Sequence, residues 1–132
     1  MKYLLDTNII SDLIKNPRGR AAEHIGRVGE VNVCTSMVVA AELRYGCVKA
    51  GSTRLAEAVE KLLAEIDLLP FEVPADAEYG RLRARLEQQG KTIGSNDLLI
   101  AAHALAIDAT IVTANVSEFS RVEGLRVENW LC

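Results

Sequence analysis

Apolar residues along this chain follow two periods. Short, mostly apolar runs lie at Lys2 to Leu5, Val31 to Cys34, Leu68 to Val73, Thr110 to Thr113 and Leu125 to Val127. Runs of this length, bounded by turn residues, predict strands. Between them, apolar positions recur every three or four residues, as on the buried face of a helix. Helices are expected over Ile9 to Ile14, Ala21 to Val28, Met37 to Val48, Thr53 to Ile66, Ala75 to Gln89 and Asp97 to Ile107, with a short turn of helix at Val116 to Ser120. The stretch Asp97 to Ile107 is apolar nearly all round, which predicts a buried helix. Asn16-Pro17-Arg18-Gly19, Gly29, Gly51-Ser52, Gly90 and Gly94-Ser95-Asn96 break the pattern. Pro70 marks the third strand as an edge or a bend.

Strands alternating with helices across short connections predict an α/β fold: three layers, with a mainly parallel central sheet and helices on both faces. One domain is expected over residues 1–132. The chain is 49% hydrophobic over 132 residues, enough for one core. Cys34, Cys47 and Cys132 have no close spacing, so no disulfide framework is expected, and a reducing, cytoplasmic setting follows. No apolar run is long enough to cross a bilayer, and Asp6 interrupts the apolar start as a signal peptide would not.

Net charge is −3, which argues against a protein that simply coats nucleic acid. It suits a nuclease whose acids hold a cation, since the ion offsets their charge. In this fold ligands sit beyond the carboxyl ends of strands. Asp6 directly follows Tyr3-Leu4-Leu5. It is expected either to cap the next helix or to serve a site. Glu42 is the only charge in Met37-Val38-Val39-Ala40-Ala41-Glu42-Leu43, and a carboxylate partly buried there needs a partner. Arg44 points to another side of the helix. Asp97 opens the buried helix, where an acid also complements the dipole. Ser95 or Asn96 is expected to cap that helix, which leaves Asp97 spare. Asn115 and Glu118 follow the strand Thr110 to Thr113.

Converging carboxylates without histidine or cysteine indicate a hard cation, Mg²⁺ with Mn²⁺ as a substitute. His24 is isolated, and His103 lies on a different side of its helix from Asp97. Such an ion commonly binds phosphate oxygens and acidifies water, so phosphodiester hydrolysis is the natural chemistry.

Leu5-Asp6-Thr7-Asn8, Ala41-Glu42-Leu43-Arg44-Tyr45-Gly46, Gly94-Ser95-Asn96-Asp97 with Leu99-Ile100-Ala101-Ala102, and Thr113-Ala114-Asn115 with Glu118-Phe119 occur in that order. In these motifs, and in its closing Gly124 to Trp130, the chain resembles PIN-domain ribonucleases of the VapC toxin type. The resemblance spans essentially the whole sequence. It implies a Mg²⁺-dependent endoribonuclease that is the toxin of a type II toxin–antitoxin pair, a homodimer with a cognate antitoxin as partner and RNA, with tRNA suggested, as substrate. Asp6 and Asp97 match the family's principal metal-ligating acids, and Glu42 the third. The family often carries Asp where Asn115 stands, so the fourth ligand is either Asn115 or Glu118. Thr7, Asn8 and Thr113 would orient the acids or waters. Activated water would attack phosphorus, with Glu42 or Asp97 taking its proton, and leave 5′-phosphate and 3′-OH ends.

Two basic groups are candidates for RNA contact: Lys15, Arg18 and Arg20 around the Pro17 turn, and Arg81, Arg83 and Arg85 on one helix. Glu78 with Arg81 and Arg83 with Glu87 have the spacing of ordinary solvated helix pairs. With one Trp, three Tyr and two Phe, base stacking is limited, which favours a structured RNA read by shape. Three alternatives carry different functions, of which an Asp-nucleophile phosphatase fails because Asp6-Thr7-Asn8 lacks an acid two residues on. A receiver-type signalling module needs paired acids near the amino terminus and a late lysine, and no lysine follows Lys91. A non-catalytic RNA-binding or interaction module with a degraded PIN site is kept open by Asn115.

Overall fold

The computed structural model describes residues 1–132. The strands are β1 (Lys2–Leu5), β2 (Val33–Ser36), β3 (Asp67–Leu69), β4 (Ala109–Val112) and β5 (Val127–Glu128). The helices are α1 (Thr7–Lys15), α2 (Arg20–Val28), α3 (Met37–Ala50), α4 (Thr53–Glu65), α5 (Ala75–Gln88), α6 (Ser95–Ala106) and α7 (Val116–Phe119). All strands are parallel, in the order β3-β2-β1-β4-β5. Parallel strands need crossovers, and right-handed crossovers place the helices before β3 on one face and those between β3 and β4 on the other. Accordingly α1 to α4 pack among themselves while α5 lies along α6. The expected three-layer α/β architecture is what the chain forms.

β1, β2 and β4 are covered on both faces, so β2 and β4 are buried throughout and their polar Thr35, Ser36 and Thr110 are each hydrogen-bonded. Leu4, Leu5, Cys34 and Ile111 are fully buried, packed with Ile9, Val39 and Ile100 from the flanking helices. Trp130 closes the carboxyl end of the core. It packs against Tyr3 at 5.3 Å and lies flat on His24 at 5.1 Å, which gives His24 a packing role away from the strand-end acids.

Three boundaries move. Val31 belongs to a 3-10 turn (Glu30–Asn32) and stands 82% exposed, so β2 begins two residues later than its apolar run implied. β3 stops at Leu69, ahead of Pro70, which cannot donate to a ladder, and lies at the sheet edge. The last strand is shorter than its run and starts at Val127.

The chain leaves β1 toward β2 and β3, and β4 toward β5. The switch point therefore lies between the carboxyl ends of β1 and β4. Leu5 pairs with Val112 there, so the residues just beyond them, Asp6 and Thr113, emerge side by side.

Candidate metal centre at the strand ends

Asp6 is 4% exposed and caps α1, its Oδ1 accepting the Thr7 amide at 2.8 Å. Its other oxygen, Oδ2, accepts the Thr113 hydroxyl at 2.8 Å and the Asn8 amide at 3.3 Å. The cap and the site are thus the same residue, using different oxygens. Burial raises the Asp6 carboxyl above its ordinary value, opposed by the Thr113 hydroxyl and Thr7 amide, and the charge of Glu42 adds to the rise.

Glu42 comes from the middle of α3 and is half-buried, as its apolar surroundings predict. Its Oε1 accepts the Thr7 hydroxyl at 2.7 Å and its Oε2 the Asn96 amide at 3.1 Å. Arg44 turns away to Glu60 at 2.9 Å, so Glu42 has no cationic partner.

Asp97 enters from the first turn of α6. The helix begins at Ser95 with Gly94 as its cap and no side-chain capping bond, which corrects the expectation that Ser95 or Asn96 caps it. That frees the Asn96 amide for Glu42, 54 positions away. No local pattern points to Asn96, because the contact exists only once α3 and α6 meet.

Asn115 and Glu118 complete the group. The Asn115 amide donates to Glu118 Oε2 at 2.8 Å and to Asp97 Oδ2 at 3.3 Å. The Thr113 hydroxyl accepts the Asn115 backbone amide at 2.9 Å, and Asn8 Oδ1 accepts the Ala114 amide at 3.0 Å. Asp97 is pushed up to about 7, first by burial, then by its hydrogen bond with Glu118 and the charges of Asp6, Glu118 and Glu42. Glu118 is held below its ordinary value, chiefly by the same Asp97 hydrogen bond. The two shifts have opposite signs because the contact between the two carboxyls favours the proton on the more buried Asp97.

These bonds run from Glu42 to Thr7, Asp6, Thr113, Asn115 and Asp97, and the chain itself closes the ring, since Asn96, the neighbour of Asp97, donates to Glu42. All eight residues singled out from the sequence lie on it or bond to it. No three acidic, histidine or cysteine side chains stand close enough to grip one ion between them in this arrangement. The physical reason is in the ring. Carboxylates that repel one another are held apart, each turned to a hydroxyl or amide.

The donor set nonetheless suits a hard cation. Every candidate ligand atom is oxygen, four carboxylates share the rim, and none has a lysine or arginine salt bridge. His103 takes no part. It is buried with Nδ1 at 2.7 Å from Ser36 Oγ and its edge to Phe71.

The PIN domain family matches residues 3–125. The chain is 38% identical to ribonuclease VapC2 of Rickettsia felis over 98% of both sequences. It is 37% identical to the tRNA(fMet)-specific endonuclease VapC of Shigella flexneri, again over 98% of each. Its fold superposes on the crystal structure of VapBC2 from Rickettsia felis bound to a promoter DNA fragment with a TM-score of 0.90. That match covers 98% of this chain and 99% of the other, at 37% identity.

Proposed function

The chain belongs to the PIN-domain family, among the VapC ribonucleases, and from that premise we propose that it is a Mg²⁺-dependent endoribonuclease and the toxin of a toxin–antitoxin pair. The observation that carries the reading is the group of acids beyond β1 and β4, oriented by neutral donors and engaged in no ion pair.

Asp6 and Asp97 would hold the metal, with Glu42 and Glu118 completing the carboxylate set. When bound, a divalent ion supplies charge neutralisation for the attacked phosphodiester and an acidified water. The chain's own residues do the rest. Thr113 and Asn8 fix the Asp6 carboxylate, and Thr7 and Asn96 fix both oxygens of Glu42. Asn115 holds Glu118 beside Asp97, so Glu118 rather than Asn115 supplies the fourth acid. Asp97, raised to about 7 by burial and its acidic neighbours, would be held ionised by the cation it ligates.

The named relatives favour tRNA as substrate and a cognate antitoxin as partner. The 132 residues act as one nuclease unit in a cytoplasmic homodimer. No helix is long and apolar enough to cross a membrane. Purified protein incubated with total RNA and Mg²⁺ should cut it to 5′-phosphate and 3′-OH ends, and neither EDTA-treated protein nor Asp6→Ala should. Undiminished cleavage by Asp6→Ala removes the assignment. A wild type that binds RNA and never cuts it favours a non-catalytic module.

A further inference from the structure

The two basic groups of this chain differ in a way its sequence does not reveal. Each arginine along α5 is already paired: Arg81 with Glu78 at 2.6 Å, Arg83 with Glu87 at 3.3 Å and Arg85 with Glu123 at 3.4 Å. Lys15, Arg18 and Arg20, at the turn between α1 and α2, take part in no ion pair. All three are exposed. The one carboxylate among them, Asp12, is engaged by the Asn16 amide at 2.8 Å.

Shape reinforces the charge. The turn frames an open cavity of about 550 Å³ lined by Lys15, Arg18, Arg20 and Leu131. Gly19 keeps the turn tight, because a Cβ there would stand 3.0 Å from Asn16 Cβ. Gly19 also caps α2 without a side chain, leaving the first amides of that helix facing outward for an anion. Lys15 lines a second groove as well, of about 280 Å³, which contains Thr7, Ser11 and Glu42. One lysine therefore borders both the basic turn and the groove that reaches Glu42. The eight helical steps from Thr7 to Lys15 span about 12 Å.

We infer that the α1–α2 turn is a phosphate-binding track, on which Lys15, Arg18 and Arg20 receive the RNA backbone as it leaves the acidic centre along α1. This rests on the nuclease reading and adds the direction in which the substrate runs. The acids repel a polyanion. A cationic surface one helix-length away supplies the attraction and sets the side from which the strand enters. The α5 arginines are neutralised by their own glutamates and contribute little to it.

The test uses bulk tRNA and the cleavage-silent Asp6→Asn protein in Mg²⁺, with binding followed by fluorescence anisotropy from 50 to 400 mM salt. Adding Lys15→Gln, Arg18→Gln and Arg20→Gln together should reduce affinity on the order of 100-fold at the lowest salt. The slope of log affinity against log salt should flatten by about 2, three contacts at ~0.7 each. Adding Arg81→Gln, Arg83→Gln and Arg85→Gln instead should leave both nearly unchanged. Circular dichroism melting confirms that each variant is folded. Equal losses in the two sets, or no loss in the first, overturn the inference. Retained tRNA binding with lost binding of poly-glutamate overturns it too, and gives the turn to an acidic protein partner. A parent protein that fails to bind tRNA at any salt counts against the nuclease reading itself.

Discussion

Acidic residues live in two different worlds on this protein. On the surface, Glu60, Asp67, Glu78, Glu87, Asp108 and Glu123 each stand within 4.0 Å of a lysine or arginine nitrogen. Beyond β1 and β4, Asp6, Glu42, Asp97 and Glu118 form no ion pair and hydrogen-bond to hydroxyls and amides. The surface pairs are solvated and screened, and such pairs contribute little to stability. At the strand ends, neutral donors orient the carboxylates, and burial first, then the neighbouring acids, raises Asp97 to about 7. The difference marks the strand ends as the place where acids converge without ion-pair partners.

The sharpest way to break this contrast is to neutralise one acid from each group. Asp6→Asn or Asp97→Asn should reduce Mg²⁺-dependent RNA cleavage by at least ~100-fold, because several kcal/mol of charge stabilisation depend on the ion they hold. Glu60→Gln, which breaks the pair with Arg44, should leave both the cleavage rate and the melting midpoint where they are. Comparable losses in both would make the division meaningless.

A smaller effect is expected one bond further out. The buried Thr113 hydroxyl donates to Asp6 and accepts the Asn115 backbone amide. Thr113→Val keeps the shape and removes both bonds. Divalent-ion affinity should weaken about 10- to 100-fold, as is usual when the support of a ligand is lost, and calorimetry reads it directly.

Much of this was legible in the sequence because the fold puts its site where the chain has few choices. Asp6 stands directly after an apolar strand, and Glu42 is the one charge in an apolar helix, so both could be named from their neighbours. Asn96 could not. Its amide finds Glu42 across 54 positions, and in sequence it looks like a helix cap. The choice between Asn115 and Glu118 stayed open for a similar reason. Both follow β4, and only the closed turn of α7 shows the amide holding the acid beside Asp97. The β2 boundary failed because Val31 is apolar and yet exposed, a distinction no apolar run contains.

The mildest prediction concerns burial without a cluster of like charges. His103 sits in the interior against Ser36, and burial lowers its pKa, partly opposed by Glu72. A histidine held neutral in the fold supports stability fully above its unfolded value of ~6.5, and that support is lost as pH falls toward its lower folded value. Melting midpoints recorded from pH 8 to pH 5 should therefore fall on the acid side. His103→Gln should show a shallower acid decline than wild type. Parallel profiles would mean that His103 does not titrate with folding.

The central claim is that four carboxylates scattered along the chain jointly hold one kind of hard cation. Calorimetric titration with Mn²⁺ at pH 8 tests it without RNA, antitoxin or turnover. Wild type and Glu60→Gln should bind saturably and alike, and Asp6→Asn and Asp97→Asn should each lose most of that binding. A wild type that takes up no Mn²⁺, or an Asp6→Asn protein that binds it as tightly as wild type, would contradict the account.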